Sequence, residues 1–260
     1  MFEIHFYTAA LLKDICDSFE HLYDQFHLQV TQDMVKFKAL DAARITILEG
    51  RLNRSLFEHF NCSAEVNLTV RFDGLAKILS LARREDKLVI EGKGDFDKLR
   101  VRFNNVDDKY SGQFYLNLKD DSRIDYEPLE SVVFNSSADM PARIFHKIIS
   151  DLFNLDSDIV ISLSEGEAVF ELGNKFLSES QQVGELITAS TTLRDNTSQG
   201  ETTRVAVKSA GNVLQKFSSE YLKALIRPCN HFDRVTCRMA NDAPMLIEYP
   251  IKNGGLIKIY

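Results

Sequence analysis

Tryptophan is absent from this 260-residue chain, proline occurs only 5 times, and the 4 cysteines form no CxxC pair. Cys16, Cys62, Cys229 and Cys237 are scattered, which reads as reduced, buried thiols and not as a disulfide framework or a zinc site. No run approaches the ~18 apolar residues a membrane helix needs. The opening MFEIHFYTAALLKD has no basic stretch followed by a long apolar one, so no signal peptide is visible. A soluble, intracellular chain is expected, and Asn61-Cys62-Ser63 and Asn67-Leu68-Thr69 are then chance glycosylation matches. Positive charge is also in deficit. Against 38 Asp and Glu stand 31 Lys and Arg, a net charge of -7, whereas a domain that gains affinity by neutralising phosphates is usually basic.

Convergent catalytic chemistry is missing as well. Gly92-Lys93-Gly94 lacks the rest of a phosphate loop and lies between two strand-like runs, so it reads as a turn. No HExxH or GxSxG occurs, and His5, His21, His27, His59, His146 and His231 show no metal-ligand spacing. Asp120 with Asp121 and Asp156 with Asp158 read as solvated loop charge. A metal-dependent hydrolase built on such a pair is the alternative from a different class. No enzyme, cofactor or metal is expected.

What is present is periodicity. Four helical patterns stand out, near Ala9–Phe26, Asp73–Arg84, Ala142–Asn154 and Ser219–Pro228, each with apolar residues at three-and-four spacing. Alternating segments between them predict strands, among them Met34–Phe37, Lys87–Glu91, Leu99–Phe103, Gln113–Leu118, Asp158–Leu163, Ala168–Leu172, Thr203–Val207, Arg234–Arg238 and Met245–Tyr249. The order repeats. The strand, turn and strand from Asp86 through Asp95 recur from Asp233 through Asp242, a shift of 147 residues that also lays the second helix on the fourth. The charged segment Lys119–Glu130 separates the halves and reads as a surface linker. The expectation is an α+β chain of two similar domains, residues 1–118 and 131–260, joined by a loop at 119–130.

Four stretches carry a family likeness: Met1-Phe2-Glu3 with Leu11-Leu12-Lys13; Leu40 through Leu48 (LDAARITIL); Lys77-Ile78-Leu79 with Glu85-Asp86; and Ala243 through Tyr249 with Gly255 through Tyr260. In this order and spacing the chain resembles the proliferating cell nuclear antigen (PCNA) family, the eukaryotic and archaeal DNA sliding clamps. The resemblance implies a DNA clamp fold, with two helices per domain packed on antiparallel sheets. Three subunits would form a closed homotrimeric ring that encircles double-stranded DNA through weak, non-specific contacts. Such a ring is a processivity factor for DNA polymerase, opened by a clamp loader, and it tethers other PIP-box proteins of replication and repair. It would lie in the nucleus of a eukaryote, with no membrane partner. A subunit of a heterotrimeric checkpoint-type clamp, or a divergent viral clamp, shares the fold.

The resemblance places residues. The helices would face the DNA, with Lys77, Arg143 and Arg227 foremost at the phosphates and Lys13, Arg84, Lys147 and Lys223 behind. Charge along the four predicted helices runs -3, +2, +1 and +1, so the acidic first helix departs from a family that usually has lysines there. The partner-peptide pocket would be lined by Leu40, Ile45, Ile47, Pro244 and Tyr260, with Arg44 at the rim and Ile124, Tyr126, Pro128 and Leu129 closing over the peptide. Phe114 and Leu116 on one edge strand and Phe176 near the opposing edge, Lys175–Gln182, would join subunits. The connecting loop is about three residues shorter than is common in the family, the family's short tail beyond Tyr260 is lacking, and Glu165 stands near a position where many relatives have a lysine.

Overall fold

Leu12, Ile15, Cys16 and Phe19 recur at helical spacing, and in the structure, a computed structural model, they form the buried stripe of helix α1 (Ala10–Phe19). The structure describes residues 1–92, 97–105, 110–118, 132–155, 158–173, 189–196, 200 and 203–260. It divides into two compact units, Met1–Glu127 with Pro250–Ile259, and Pro128–Tyr249 with Tyr260. The loop at 119–130 lies outside the described residues.

The first unit contains β1 (Phe2–Phe6), α1, β2 (Gln25–Val30), β3 (Met34–Leu40), β4 (Ile47–Asn53), β5 (Phe57–Cys62), β6 (Val66–Arg71), α2 (Phe72–Ser80), β7 (Lys87–Gly92), β8 (Lys98–Asn104) and β9 (Ser111–Asn117). Its strands form two antiparallel runs, β5-β1-β7-β8-β9 and β4-β3-β2-β6. The second unit contains β10 (Ser136–Pro141), α3 (Ala142–Phe153), β11 (Ile159–Ser164), β12 (Glu167–Leu172), β13 (Ser190–Arg194), β14 (Ala206–Ser209), β15 (Val213–Phe217), α4 (Ser219–Leu225), β16 (Arg234–Met239) and β17 (Leu246–Ile251). Its runs are β14-β10-β16-β17 and β13-β12-β11-β15. Adding nine to the strand numbers of the first unit, β9 excepted, gives the second. The repeat reaches single bonds: Ala9 N–H donates to Asp86 O at 2.8 Å, and Ala142 N–H to Asp233 O at 2.9 Å, each tying the start of a helix to the residue beside β7 or β16. The last strand, β18 (Gly255–Ile259), pairs with β4 in the first unit.

Alternation decides which face packs. Phe2, Ile4 and Phe6 of β1 are buried while Glu3 and His5 between them are partly exposed, as period two requires. Phe26 lies 4.5 Å from Phe72 and 6.1 Å from Phe37, ring centre to ring centre. In the second unit Phe145, Ile148, Ile149 and Leu152 form the buried stripe of α3, with Phe145 against Phe170. Fully burying side chains of this size contributes about 1.5–3 kcal/mol each. The buried Tyr249 hydroxyl donates to Leu225 O at 2.8 Å and so satisfies a carbonyl at the end of α4.

Three helix ends differ from the sequence reading. The first helix stops at Phe19, because Leu22 and Tyr23 both donate to Phe19 O and the chain turns there. Leu22 and Phe26 keep the helical spacing by coincidence; Phe26 is buried from β2, opposite Val70. The second helix ends at Ser80, tightened by i→i-3 bonds from Leu81 and Ala82, so Arg83 and Arg84 lie in the turn beyond. After α4 a separate 3-10 turn, Arg227–Asn230, holds Pro228. The strand expected at Thr203–Val207 begins at Ala206, since Val205 instead exchanges bonds with Asn196.

Gly50 of β4 faces Phe37, and a β-carbon there would stand 1.9 Å from the ring. Gly50→Ala is therefore expected to cost about 1–3 kcal/mol, read as a lower urea midpoint with unchanged slope. All four cysteines are free and buried. Burial pushes the Cys229 thiol up to about 12 and those of Cys16 and Cys237 further above their ordinary value. Since the thiolate is the nucleophile, these three are expected to resist iodoacetamide at neutral pH and to react after denaturation. Mass spectrometry of the alkylated protein checks this.

Candidate DNA-facing helices and partner-binding loop

The helix cations do not share one environment. Lys13 is partly buried, and its Nζ donates to Leu79 O at 2.6 Å and Ala82 O at 2.9 Å. Those carbonyls lie at the end of α2, where a helix leaves acceptors without partners and favours positive charge. Arg84 is half-exposed and grips Asp14 with two parallel bonds, Nη1 to Oδ1 at 2.6 Å and Nη2 to Oδ2 at 2.9 Å. That bidentate contact raises the arginine's pKa above its ordinary value. Asp14 is almost buried, whereas Asp17 and Glu20 on the same helix end are exposed.

Lys77 is 80% exposed, 3.9 Å from Asp73 one turn earlier. Asp73 is itself held by Arg71 at 2.8 Å, which keeps its carboxyl ionised down to about 2. In the second unit Arg143 and Arg227 are exposed. Lys147 pairs with Asp151 at 2.7 Å, with both side chains more than half exposed. Lys223 sits 4.7 Å from the centre of the Phe153 ring, a cation–π contact between α4 and α3. The observed helix bounds revise the charge: α1 with α2 carry Lys13 and Lys77 against Asp14, Asp17 and Asp73, while α3, α4 and the 3-10 turn carry Arg143, Lys147, Lys223 and Arg227 against Asp151 and Glu220.

A second feature is the loop between β3 and β4. Asp41 is buried at 5% exposure, and its carboxylate accepts the backbone N–H of Ala43 at 3.2 Å, Ile45 at 2.7 Å and Thr46 at 2.6 Å. Thr46 Oγ1 accepts from the buried Tyr23 hydroxyl at 3.2 Å, which anchors the loop to the core. Arg44 adopts a positive φ of 58°, a conformation uncommon outside glycine, so the loop turns sharply and holds Ile45 outward at 59% exposure. Leu40 and Ile47, flanking the loop, are half-buried. The loop thus holds an apolar tip outward in a fixed position. Leu40, Arg44, Ile45 and Ile47 are brought together here. Pro244 is exposed and Tyr260 half-buried in the second unit, and Ile124, Tyr126, Pro128 and Leu129 fall outside the described residues.

Phe114 stacks on Phe103 at 5.3 Å, and Leu116 fills the space above Gly74 of α2, so both face inward from β9. Tyr115 points the other way and is exposed. Among the described residues β9 has one strand neighbour, β8, and ends its sheet. Phe176 and the segment Lys175–Gln182 lie outside the described residues. Sequence reasoning overlooked Asp41 and Thr46 as functional parts. An Asp followed within five residues by a hydroxyl residue signals a side-chain-bonded turn, but the loop's role depends on Tyr23, which packs from elsewhere.

A duplicated sheet order with two helices per unit, most of the helix cations exposed, is the architecture of a DNA sliding clamp. Comparison with known families gives the same answer. Residues 1–127 match the model of the proliferating cell nuclear antigen N-terminal domain, and residues 129–260 that of the C-terminal domain. The chain is 24% identical over 260 residues to proliferating cell nuclear antigen 2 of Drosophila melanogaster, covering 100% of this chain and 96% of that protein. It is 24% identical over 257 residues to proliferating cell nuclear antigen of Saccharomyces cerevisiae, covering 98% and 95%. For the Caenorhabditis elegans protein the identity is 23% over 264 residues, covering 100% and 95%. The chain belongs to the proliferating cell nuclear antigen family. It is a DNA sliding clamp, a scaffold of replication and repair and not an enzyme. No helix among the described residues is long and apolar enough to cross a membrane.

Asp41→Ala leaves three N–H groups of the loop without their acceptor. An expected loss of about 1–3 kcal/mol follows, measured by urea unfolding. Faster amide exchange at residues 43–46 should accompany it.

Proposed function

We propose that three copies of this chain join head to tail into a closed ring around duplex DNA, each copy adding an edge strand to the next. The full-length correspondence to both domains of a clamp family carries this reading. A heterologous interface of this kind ends only because the rotation closes. The terminal position of β9 supports the junction, with Tyr115 exposed on it and Phe114 and Leu116 packed behind it. A threaded duplex leaves only when the ring opens or an end arrives, so a chain of net charge -7 needs no strong attraction. Weak, salt-sensitive contact through Lys77, Arg143, Lys147, Lys223 and Arg227 suffices.

The β3–β4 loop is the docking point for partner peptides from polymerase, clamp loader and repair proteins. Leu40, Ile45 and Ile47 supply the apolar anchors and Arg44 the rim. In a eukaryotic cell the ring works in the nucleus.

Light scattering at low micromolar concentration is expected to give about three times 29.6 kDa. A single-copy mass at every dilution would sink the ring, and so would equal loss of loaded protein from circular and linear templates. Ile45→Asp should weaken a fluorescent PIP-box peptide about tenfold or more without moving the melting temperature, because Ile45 supports no core. An unchanged affinity would place the docking point elsewhere.

A further inference from the structure

We infer that the two helix pairs of each copy do different work: α3, α4 and the 3-10 turn hold the duplex, while Lys13 and Arg84 brace α1 against α2 and do not meet phosphate. This rests on the ring reading and adds to it. Lys13 cannot reach outward without abandoning Ala82 O, just past the end of α2, and Leu79 O, which otherwise keeps only the 3.1 Å bond from Ala82 N–H. Arg84 cannot leave Asp14 without stranding a carboxylate whose side chain is only 12% exposed. Both cations therefore belong to the fold. With them engaged, α1 presents Asp17, and Glu20 follows at its end, two exposed anions that repel phosphate.

The second helix pair has the opposite character. Among the described residues Lys147 is held by Asp151 alone, and both side chains are largely in solvent. Such a pair is worth little, so exchanging its carboxylate for a phosphate costs little. Arg143 and Arg227 are exposed, and Lys223 keeps its charge over Phe153, where the ring orients the ammonium without neutralising it. Four cations against two anions stand on these elements, compared with four against four on α1, α2 and the turn at 81–85, where two of the four cations, Lys13 and Arg84, are engaged. A ring of three copies would thus offer the duplex three basic helix pairs and not six. Lys77 and Arg83 are the exposed cations that the first pair adds.

The test measures how ring affinity for a short fluorescent duplex falls with salt, alongside melting temperature. Each lost phosphate contact lowers the slope of log affinity on log salt by about 0.9. Arg143→Gln with Arg227→Gln is expected to lower affinity several-fold and flatten the slope, with the melting temperature unchanged. Lys13→Gln and Arg84→Gln are expected to lower the melting temperature and leave the slope as it was. Should either fail to fold, Asp17→Lys with Glu20→Lys decides: it is expected to raise affinity and steepen the slope. The inference is overturned if Lys13→Gln or Arg84→Gln flattens the slope as much as the Arg143 and Arg227 pair. It is overturned equally if the Asp17 and Glu20 variant binds like the unaltered ring. A single-copy mass for the unaltered protein would instead overturn the ring itself, and that is read before any variant is made.

Discussion

A helix laid on a sheet hides one stripe of its surface, and what this chain can do with DNA depends on what remains on the other. Leu12, Ile15, Cys16 and Phe19 on α1, and Phe145, Ile148, Ile149 and Leu152 on α3, form most of the hidden stripe, with Ser18 and the Arg84-paired Asp14 as buried polar exceptions on α1. No charged residue can move there without the desolvation cost of an unpaired ion. The polar stripe is free to vary, provided the helix ends keep their hydrogen bonds. At α1 and α2 that proviso is met with side chains: Lys13 serves the end of α2, and Arg84 neutralises Asp14. At α4 it is met by the hydroxyl of a core tyrosine, Tyr249. The second unit therefore keeps its helix cations for other uses.

The same contrast appears against the background of the repeat. Strand order is preserved between units with an offset of nine, and the anchoring bonds from Ala9 and Ala142 are preserved too. Sheets constrain this strongly, since a slip of one residue would turn Phe2, Ile4 and Phe6 toward water and Glu3 and His5 inward. Exposed helix charge carries no such constraint. Two units can hold one architecture and still diverge from near-neutral to basic on their helices.

How far the sequence could be read follows from how local each cause is. Strand alternation and helix periodicity lie within a few residues, so the four helices and the repeat are legible. The ends were less so. Phe26 keeps the spacing of α1, and only its burial against Phe72 and Phe37 from β2 reveals that the helix has already stopped. Side-chain roles were the least legible. Lys13 is 66 residues from Leu79, and Arg84 is 70 from Asp14. Nothing near either residue signals the contact, and both read as surface cations. Asp41 is intermediate, since its bonds to Ala43, Ile45 and Thr46 are local but their value lies in the tip they hold outward.

The remaining tension is between a net charge of -7 and a polyanionic cargo. For a protein that binds by attraction this balance would be disabling, because affinity comes mainly from phosphates neutralised. A clamp separates retention from attraction. Retention is topological, and charge then governs friction: each strong phosphate contact would have to break before the ring could advance. On the proposed reading, few, exposed and loosely paired cations such as Lys147 and Arg143 would keep that friction low, while acidic groups such as Asp17 and Glu20 would discourage tighter binding. The proposed docking at Ile45 has the opposite requirement. A partner peptide there would be held by no ring, so its affinity would come from apolar burial on a surface that Asp41 and Tyr23 already hold in place.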